Sequence, residues 1–243
     1  MNKVQAVLYM KHYNRIFNIL YTICLCLTVL ALARQLLPYK TVFTSSHAVK
    51  SNPANDSVEV KRVALTFDDG PHPVYTEKLL DALKERGVSA TFFVTGEHAE
   101  LHPDIIKRIH DEGHLIGNHT YSHIQLTSAN KEQFQDELIQ TNKILSEITG
   151  DEIQYVRPPY GSWDKKIETE LNMFPVLWNV DPLDWCTANA SRVANAVLKK
   201  VTDNDIILLH DYYDTSVDAA IMVVDELQKQ GYDFVTVDKI LFD

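Results

Sequence analysis

From Lys61 onward, short apolar runs alternate with longer stretches in which apolar residues recur every three to four positions. The short runs predict strands at Val63–Phe67, Ala90–Val94, Leu115–Gly117, Tyr155–Arg157, Val176–Asn179, Ile206–Leu209 and Phe234–Val237. The amphipathic stretches predict helices at Val74–Arg86, Pro103–Glu112, Lys131–Thr149, Ser191–Val201 and Val217–Gln230, with a weaker one at Lys165–Leu171. Their ends carry the expected punctuation: Gly87, Gly113, Gly150 and Gly231 follow four of them, Pro103 opens one, and Ser191 is placed to cap another. A β-α repeat with about seven strands implies a parallel sheet.

The first 37 residues follow another pattern. Ile16 to Ala33 is uncharged and mostly apolar. As a helix it would be about 27 Å long, near the ~30 Å thickness of a bilayer core. Lys3, Lys11 and Arg15 precede it, which orients the N-terminus to the cytoplasm and the remainder of the chain outside. Residues 1–37 thus read as a cytoplasmic tail and transmembrane anchor. The competing reading is a signal peptide cleaved near Ala33, since Ala31-Leu32-Ala33 has the small-x-small form. The length of the apolar run favours the anchor, and both readings export the rest. Residues 38–60 are rich in Ser, Thr, Asn and Val without a period and read as a flexible linker reaching roughly 25 Å. Residues 61–243 form the folded domain.

Charge narrows the partners. The first 37 residues hold four Lys/Arg and no Asp/Glu, leaving 19 Lys/Arg against 33 Asp/Glu beyond them. Such an acidic domain disfavours nucleic acid, and no protein partner is indicated. Of the three cysteines, Cys24 and Cys26 lie in the apolar segment, so Cys186 stands alone in the domain. That excludes a disulfide framework and a cysteine metal site there, and Cys186 has no assignable role.

The polar motifs fall at the C-terminal ends of five different predicted strands: Asp68-Asp69, His119, Arg157, Asp181/Asp184 and His210. Those ends meet on one face of a β/α barrel. The domain is shorter than the ~250 residues of a full eight-fold barrel, so a distorted (β/α) barrel is expected.

His119 and His123 can point the same way if their segment is helical or tightly turned, and with a carboxylate from Asp68-Asp69-Gly70 can grip one metal ion. Three protein ligands leave a place open for water, the mark of a hydrolytic rather than a structural site. Thr120 occupies the place of the glutamate in HExxH, so a base must come from elsewhere, and Asp68 is the candidate. In Arg157-Pro158-Pro159-Tyr160-Gly161 the two prolines offer no N–H, so Tyr160 supplies the first backbone donor after Arg157, suited to an oxyanion. Arg157 can pair with a carboxylate. In Asp181-Pro182-Leu183-Asp184-Trp185, the Trp185 ring can face a sugar and Asp184 can hold a histidine. His210 arrives on the same face as a candidate general acid, and Leu208, on its strand face, can line a pocket for a methyl group. The remaining histidines of the domain, His72, His98, His102, His110 and His114, read as surface or supporting residues.

In order, Thr66-Phe67-Asp68-Asp69-Gly70, His119-Thr120-Tyr121-Ser122-His123, Arg157-Pro158-Pro159-Tyr160-Gly161, Asp181-Pro182-Leu183-Asp184-Trp185 and Leu208-Leu209-His210 resemble the five motifs of the NodB-homology polysaccharide deacetylases, carbohydrate esterase family four. The resemblance spans about Arg62 to Asp243 and is greatest to membrane-anchored peptidoglycan N-acetylglucosamine deacetylases. It implies a divalent metal, usually zinc, with Asp69, His119 and His123 as ligands and Asp68 as general base. It further implies that Arg157 orients Asp68, the Tyr160 N–H stabilises the oxyanion, His210 is the general acid tuned by Asp184, and Trp185 and Leu208 line the acetyl pocket. Asp68 is not the asparagine of some muramic-acid-directed members.

The expectation is therefore a metal-dependent hydrolase that removes N-acetyl groups from an acetylated cell-wall polysaccharide, most consistent with peptidoglycan. The alternatives are a chitin-oligosaccharide deacetylase, an O-acetyl xylan esterase, and a non-catalytic, membrane-tethered glycan-binding module. No GxSxG elbow is present, which excludes the usual serine acyl-enzyme.

Overall fold

The computed structural model describes residues 60–242. The proposed anchor or signal segment and all but the last residue of the linker lie outside the described residues. Among the described residues, no helix is long and apolar enough to cross a membrane.

Seven parallel strands form the core: β1 (Lys61–Asp68), β2 (Thr91–Val94), β3 (Leu115–Asn118), β4 (Tyr155–Val156), β5 (Phe174–Pro175), β6 (Asp205–His210) and β7 (Tyr232–Phe234). Among the described residues, eight α-helices accompany them: α1 (Tyr75–Arg86), α2 (Gly96–Leu101), α3 (Pro103–Asp111), α4 (Lys131–Thr149), α5 (Lys165–Leu171), α6 (Ala190–Leu198), α7 (Asp214–Lys229) and α8 (Val237–Phe242). The strand order is β5-β4-β3-β2-β1-β6, and β7 pairs with the start of β1. The sheet curls into a half-barrel, an open form of the distorted (β/α) barrel expected. Beyond β5 the chain meets β6 through one isolated bridge, Val180 to Ile207.

Strand alternation explains the layering. Val63, Leu65 and Phe67 of β1, Phe92 and Val94 of β2, and Ile207 and Leu209 of β6 join the large core cluster, to which the flanking helices contribute Leu79, Leu83, Val223 and Leu227. The intervening residues Ala64, Phe93 and Ile206 face the concave side, where Val237 of α8 joins them. One layer up, Thr66 and Leu208 are partners in the β1–β6 register, and above them Asp68 and His210 are partners at the strand ends. The same period-two alternation that buries one face in oil therefore stacks the polar residues on the other.

Several predicted boundaries shift. The fifth strand is Phe174–Pro175 rather than Val176–Asn179, although the Val176 N–H still donates to the Val156 carbonyl at 2.8 Å. The seventh is Tyr232–Phe234, because Val237 opens α8. Asn189, not Ser191, caps α6, its side chain accepting the Arg192 N–H. The short helices α2 and α8 span too few turns to show a period.

Candidate active site

β1 delivers two carboxylates to one cavity. Asp68 ends the strand, buried. Asp69 follows with φ 74°, a left-handed conformation that costs most residues on the order of 1–2 kcal/mol and that aspartate visits more readily. This turn is how adjacent residues come to line the same cavity. Gly70 must be glycine, since a Cβ there would sit 2.3 Å from the Asp211 carboxylate oxygens. Asp211 is fully buried; it accepts the Thr76 hydroxyl at 2.5 Å, and burial pushes its carboxyl up to about 7.

The histidines come from the end of β3. His119 is buried, and its Nδ1–H donates to the Arg157 carbonyl at 2.6 Å, which leaves the Nε2 lone pair free. Thr120 and His123 both have left-handed backbones, φ 64° and 59°, and the Thr120 N–H donates to Asn118 Oδ1 at 2.8 Å. A tight loop, not a helix, thus brings the two imidazoles together, with ring centroids 5.0 Å apart. Asp69 Oδ1 lies 3.4 Å from the Nε2 of His119 and also 3.4 Å from that of His123.

These residues fit a metal. One ligand atom from each of Asp69, His119 and His123 lies within 4.8 Å of the others. Asp69 Oδ1 is buried and has no hydrogen-bond partner in the protein. Donors ~2.0–2.1 Å from a tetrahedral ion stand about 3.4 Å apart, which is the spacing between Asp69 Oδ1 and each imidazole. Burial works against the Asp69 charge, but the nearby His119, together with His210 and His123, outweighs it and pulls the carboxyl down to about 2. Burial, then the neighbouring His119, pushes His123 below its usual range and toward the neutral, ligating form.

On one side of this cluster stands an ion pair. Arg157, fully buried at the end of β4, donates from Nη1 to Asp68 Oδ1 at 2.8 Å and to Thr66 Oγ1 at 2.6 Å. Its Nε and Nη2 donate to the carbonyls of Val176 and Leu177, and the Phe93 ring lies 4.2 Å below the guanidinium. With Oδ1 engaged, Asp68 turns Oδ2 toward His119 Nε2, 3.7 Å away. Across the cavity, His210 Nδ1–H donates to Asp184 Oδ1 at 2.8 Å, and the His210 backbone N–H donates to Asp184 Oδ2, also at 2.8 Å. Burial opposes charge on His210, but the Asp184 hydrogen bond and charge, with help from Asp68 and Asp69, raise it to about 9. His210 Nε2 is 4.0 Å from Asp69 Oδ2.

The cavity holds about 330 Å³, at the small end of ligand pockets. Tyr160, left-handed at φ 59°, lines it with its ring edge-on to His123 at 5.0 Å. Trp185 stands 57% exposed at the rim and Leu208 is buried in the wall. Every residue singled out from the sequence therefore gathers here: eight line the cavity, and Arg157 and Asp184 stand behind it as partners of Asp68 and His210. Sequence reasoning missed Pro158, Trp178 and Tyr213 in the wall, and gave Asp181 no role. Tyr213 had a usable signal, since it precedes α7 just beyond the His210 strand end. Trp178 was masked by its place in an apolar run. Cys186 is exposed and is not among the lining residues.

The fold and site define an α/β half-barrel with a three-donor cluster that fits a metal at its strand ends, flanked by a carboxylate–arginine and a histidine–carboxylate pair. A family model described as Polysaccharide deacetylase matches residues 55–176. The chain belongs to the polysaccharide deacetylase family. It is 43% identical over 181 residues to a peptidoglycan-N-acetylglucosamine deacetylase of Bacillus cereus, covering 72% of this chain and 66% of that protein. It is 38% identical over 196 residues to the peptidoglycan-N-acetylmuramic acid deacetylase PdaC of Bacillus subtilis, covering 80% of this chain and 42% of that one. The solved structure of PdaC superposes with a TM-score of 0.73 at 38% identity, over 75% of this chain and 90% of the crystallised one. The match thus spans less than two thirds of the length of these two curated relatives.

Proposed function

We propose that this chain is a zinc-dependent deacetylase that hydrolyses N-acetyl groups on the N-acetylglucosamine residues of peptidoglycan, outside the cell and tethered by its N-terminal segment. The observation that carries the reading is the Asp69–His119–His123 donor set with Asp68–Arg157 on one side and His210–Asp184 on the other, all at one cavity. The substrate follows from what the relatives are named for, and the tether from the apolar segment.

A divalent cation held by Asp69, His119 and His123 would lower the pKa of a coordinated water and polarise the acetyl carbonyl. Asp68 Oδ2, facing the cluster, takes the proton from the attacking water, and Arg157 holds the other oxygen so the carboxylate cannot rotate away. The Tyr160 N–H, in its stiff Pro-Pro turn, is the donor for the developing oxyanion. His210, raised to about 9, carries a proton at neutral pH and gives it from Nε2 to the departing amine. Leu208 and Trp185 enclose the methyl group. An amine leaves poorly without a proton, so a base and an acid on opposite sides suit an amide.

The test is acetate release by the full-length protein from peptidoglycan, chitin oligomers and acetylated xylan, with and without a chelator. Mass spectrometry of muropeptides then locates the sugar that has lost its acetyl group. Fastest turnover on peptidoglycan, lost with the metal and mapped to glucosamine, supports the reading. A mass change on muramic acid would redirect the substrate toward that of PdaC, and binding of glycan without turnover would leave a tethered binding module.

A further inference from the structure

The Asp69 backbone carbonyl has a partner that lies outside all five motifs. His98, on α2, places Nδ1 2.7 Å from the Asp69 carbonyl oxygen. A carbonyl only accepts, so Nδ1 carries the hydrogen whatever the charge of the ring. The other side of the same turn is held from the same segment: the Thr95 N–H, just before α2, donates to the Gly70 carbonyl at 3.1 Å. Two consecutive peptide units of the ligand loop are thus gripped from one place.

The His98 ring is itself oriented. It lies nearly parallel to Tyr212, with centroids 5.2 Å apart and planes 19° apart. Tyr212 in turn meets the edge of His72, which stacks on Tyr75. Tyr212 follows His210 by two residues, so packing from the end of β6 aims the His98 N–H at the loop that extends β1.

Asp69 needs such a clamp. Its backbone is left-handed, a conformation that does not hold itself, and its Oδ1 must stay equidistant from two imidazoles. Fixing the carbonyl fixes the peptide plane after Asp69 and, with it, the direction in which the carboxylate leaves the chain. The geometry points to His98 as a positioning residue for the metal centre: its N–H locks Asp69 in the conformer that presents Oδ1 to the cation, with Tyr212 setting the ring. This rests on the reading of Asp69, His119 and His123 as ligands.

The experiment compares the full-length wild type with His98→Phe, which keeps a ring against Tyr212 but loses the donor, and His98→Gln, which keeps an N–H. Zinc and cobalt affinities are measured by competition with a chromophoric chelator, alongside the cobalt absorption spectrum and the Tm of the metal-free protein. His98→Phe is expected to weaken metal binding about 10- to 100-fold and to alter the cobalt spectrum, with the metal-free Tm nearly unchanged. His98→Gln recovers much of the affinity. If His98→Phe does not fold, Tyr212→Leu takes its place, and a smaller loss of affinity in the same direction is expected. Unchanged affinity, or a lowered Tm with affinity intact, overturns the proposal. If the wild type binds no divalent ion, or binds it equally well after Asp69→Asn, the ligand assignment falls and this inference falls with it.

Discussion

Replacing Asp184 by asparagine isolates the control of the proposed acid. Asp184 accepts two hydrogen bonds from His210, one from the ring and one from the backbone N–H. A carboxylate can accept at both oxygens, whereas an amide must turn its NH₂ toward one of those donors. The rise of His210 from 6.5 to about 9 corresponds to about 3 kcal/mol favouring the protonated ring. Burial acts the other way, so without the Asp184 charge the pKa is expected to drop to 6.5 or lower. The sign for stability follows: protonation of His210 stabilises the fold fully below pH 6.5, and that contribution is lost as pH rises through about 9. In Asp184→Asn this alkaline loss should vanish. Two assays read the change: an NMR titration of the imidazole in metal-free protein, and the alkaline limb of the kcat profile in the metal-loaded enzyme. Both should move toward acid by more than about two units, leaving little activity at pH 8. An alkaline limb that stays in place in the variant would refute the assignment of His210 as the group that must be protonated.

Four further outcomes are expected. Asp68→Asn should lower kcat by about 10²- to 10⁴-fold while metal content, measured by atomic emission, is unchanged, since Asp68 is not in the donor triad. Chelation should abolish acetate release and added zinc restore it, whereas His119→Ala should bind metal too weakly for rescue. Arg157→Leu strands a buried Asp68 without its charge partner and should cost about 3–5 kcal/mol, read as a calorimetric Tm lower by roughly 6–20 °C. His114, held by burial down to about 4, accepts the Ala90 N–H at 3.1 Å and so stabilises the fold above pH 6.5 and loses this as pH falls toward 4. Unfolding free energies from urea titrations at pH 7 and pH 5 should therefore differ by about 2 kcal/mol less in His114→Asn than in the wild type.

The site was more legible in the sequence than the architecture around it. Asp68, His119, Arg157 and His210 each end an apolar run, and a run followed by a polar residue announces a strand end whatever the sheet's final curvature. The degree of closure was not legible, because it depends on how the chain after β5 meets β6, and one bridge at Val180 leaves no periodic trace. Nor was the loop that joins His119 to His123: four residues separate helix from tight turn only through backbone angles at Thr120 and His123, neither of which is a glycine. Trp178 reached the cavity unannounced because an aromatic within an apolar run looks the same whether it fills the core or faces a ligand. His98 shows the complementary gap, since a histidine on a six-residue helix carries no pattern that distinguishes a surface ring from one aimed at a backbone carbonyl.

The twofold grip of Asp184 on His210 has a mechanical side as well. It ties the segment beyond β5 to the tip of β6, at the seam where the strand ladder is reduced to a single bridge. The proposed proton donor and the hasp are thus one object. Any change that retunes the donor also loosens the rim, so selection on pH range and selection on rigidity act on the same two side chains and cannot be satisfied independently.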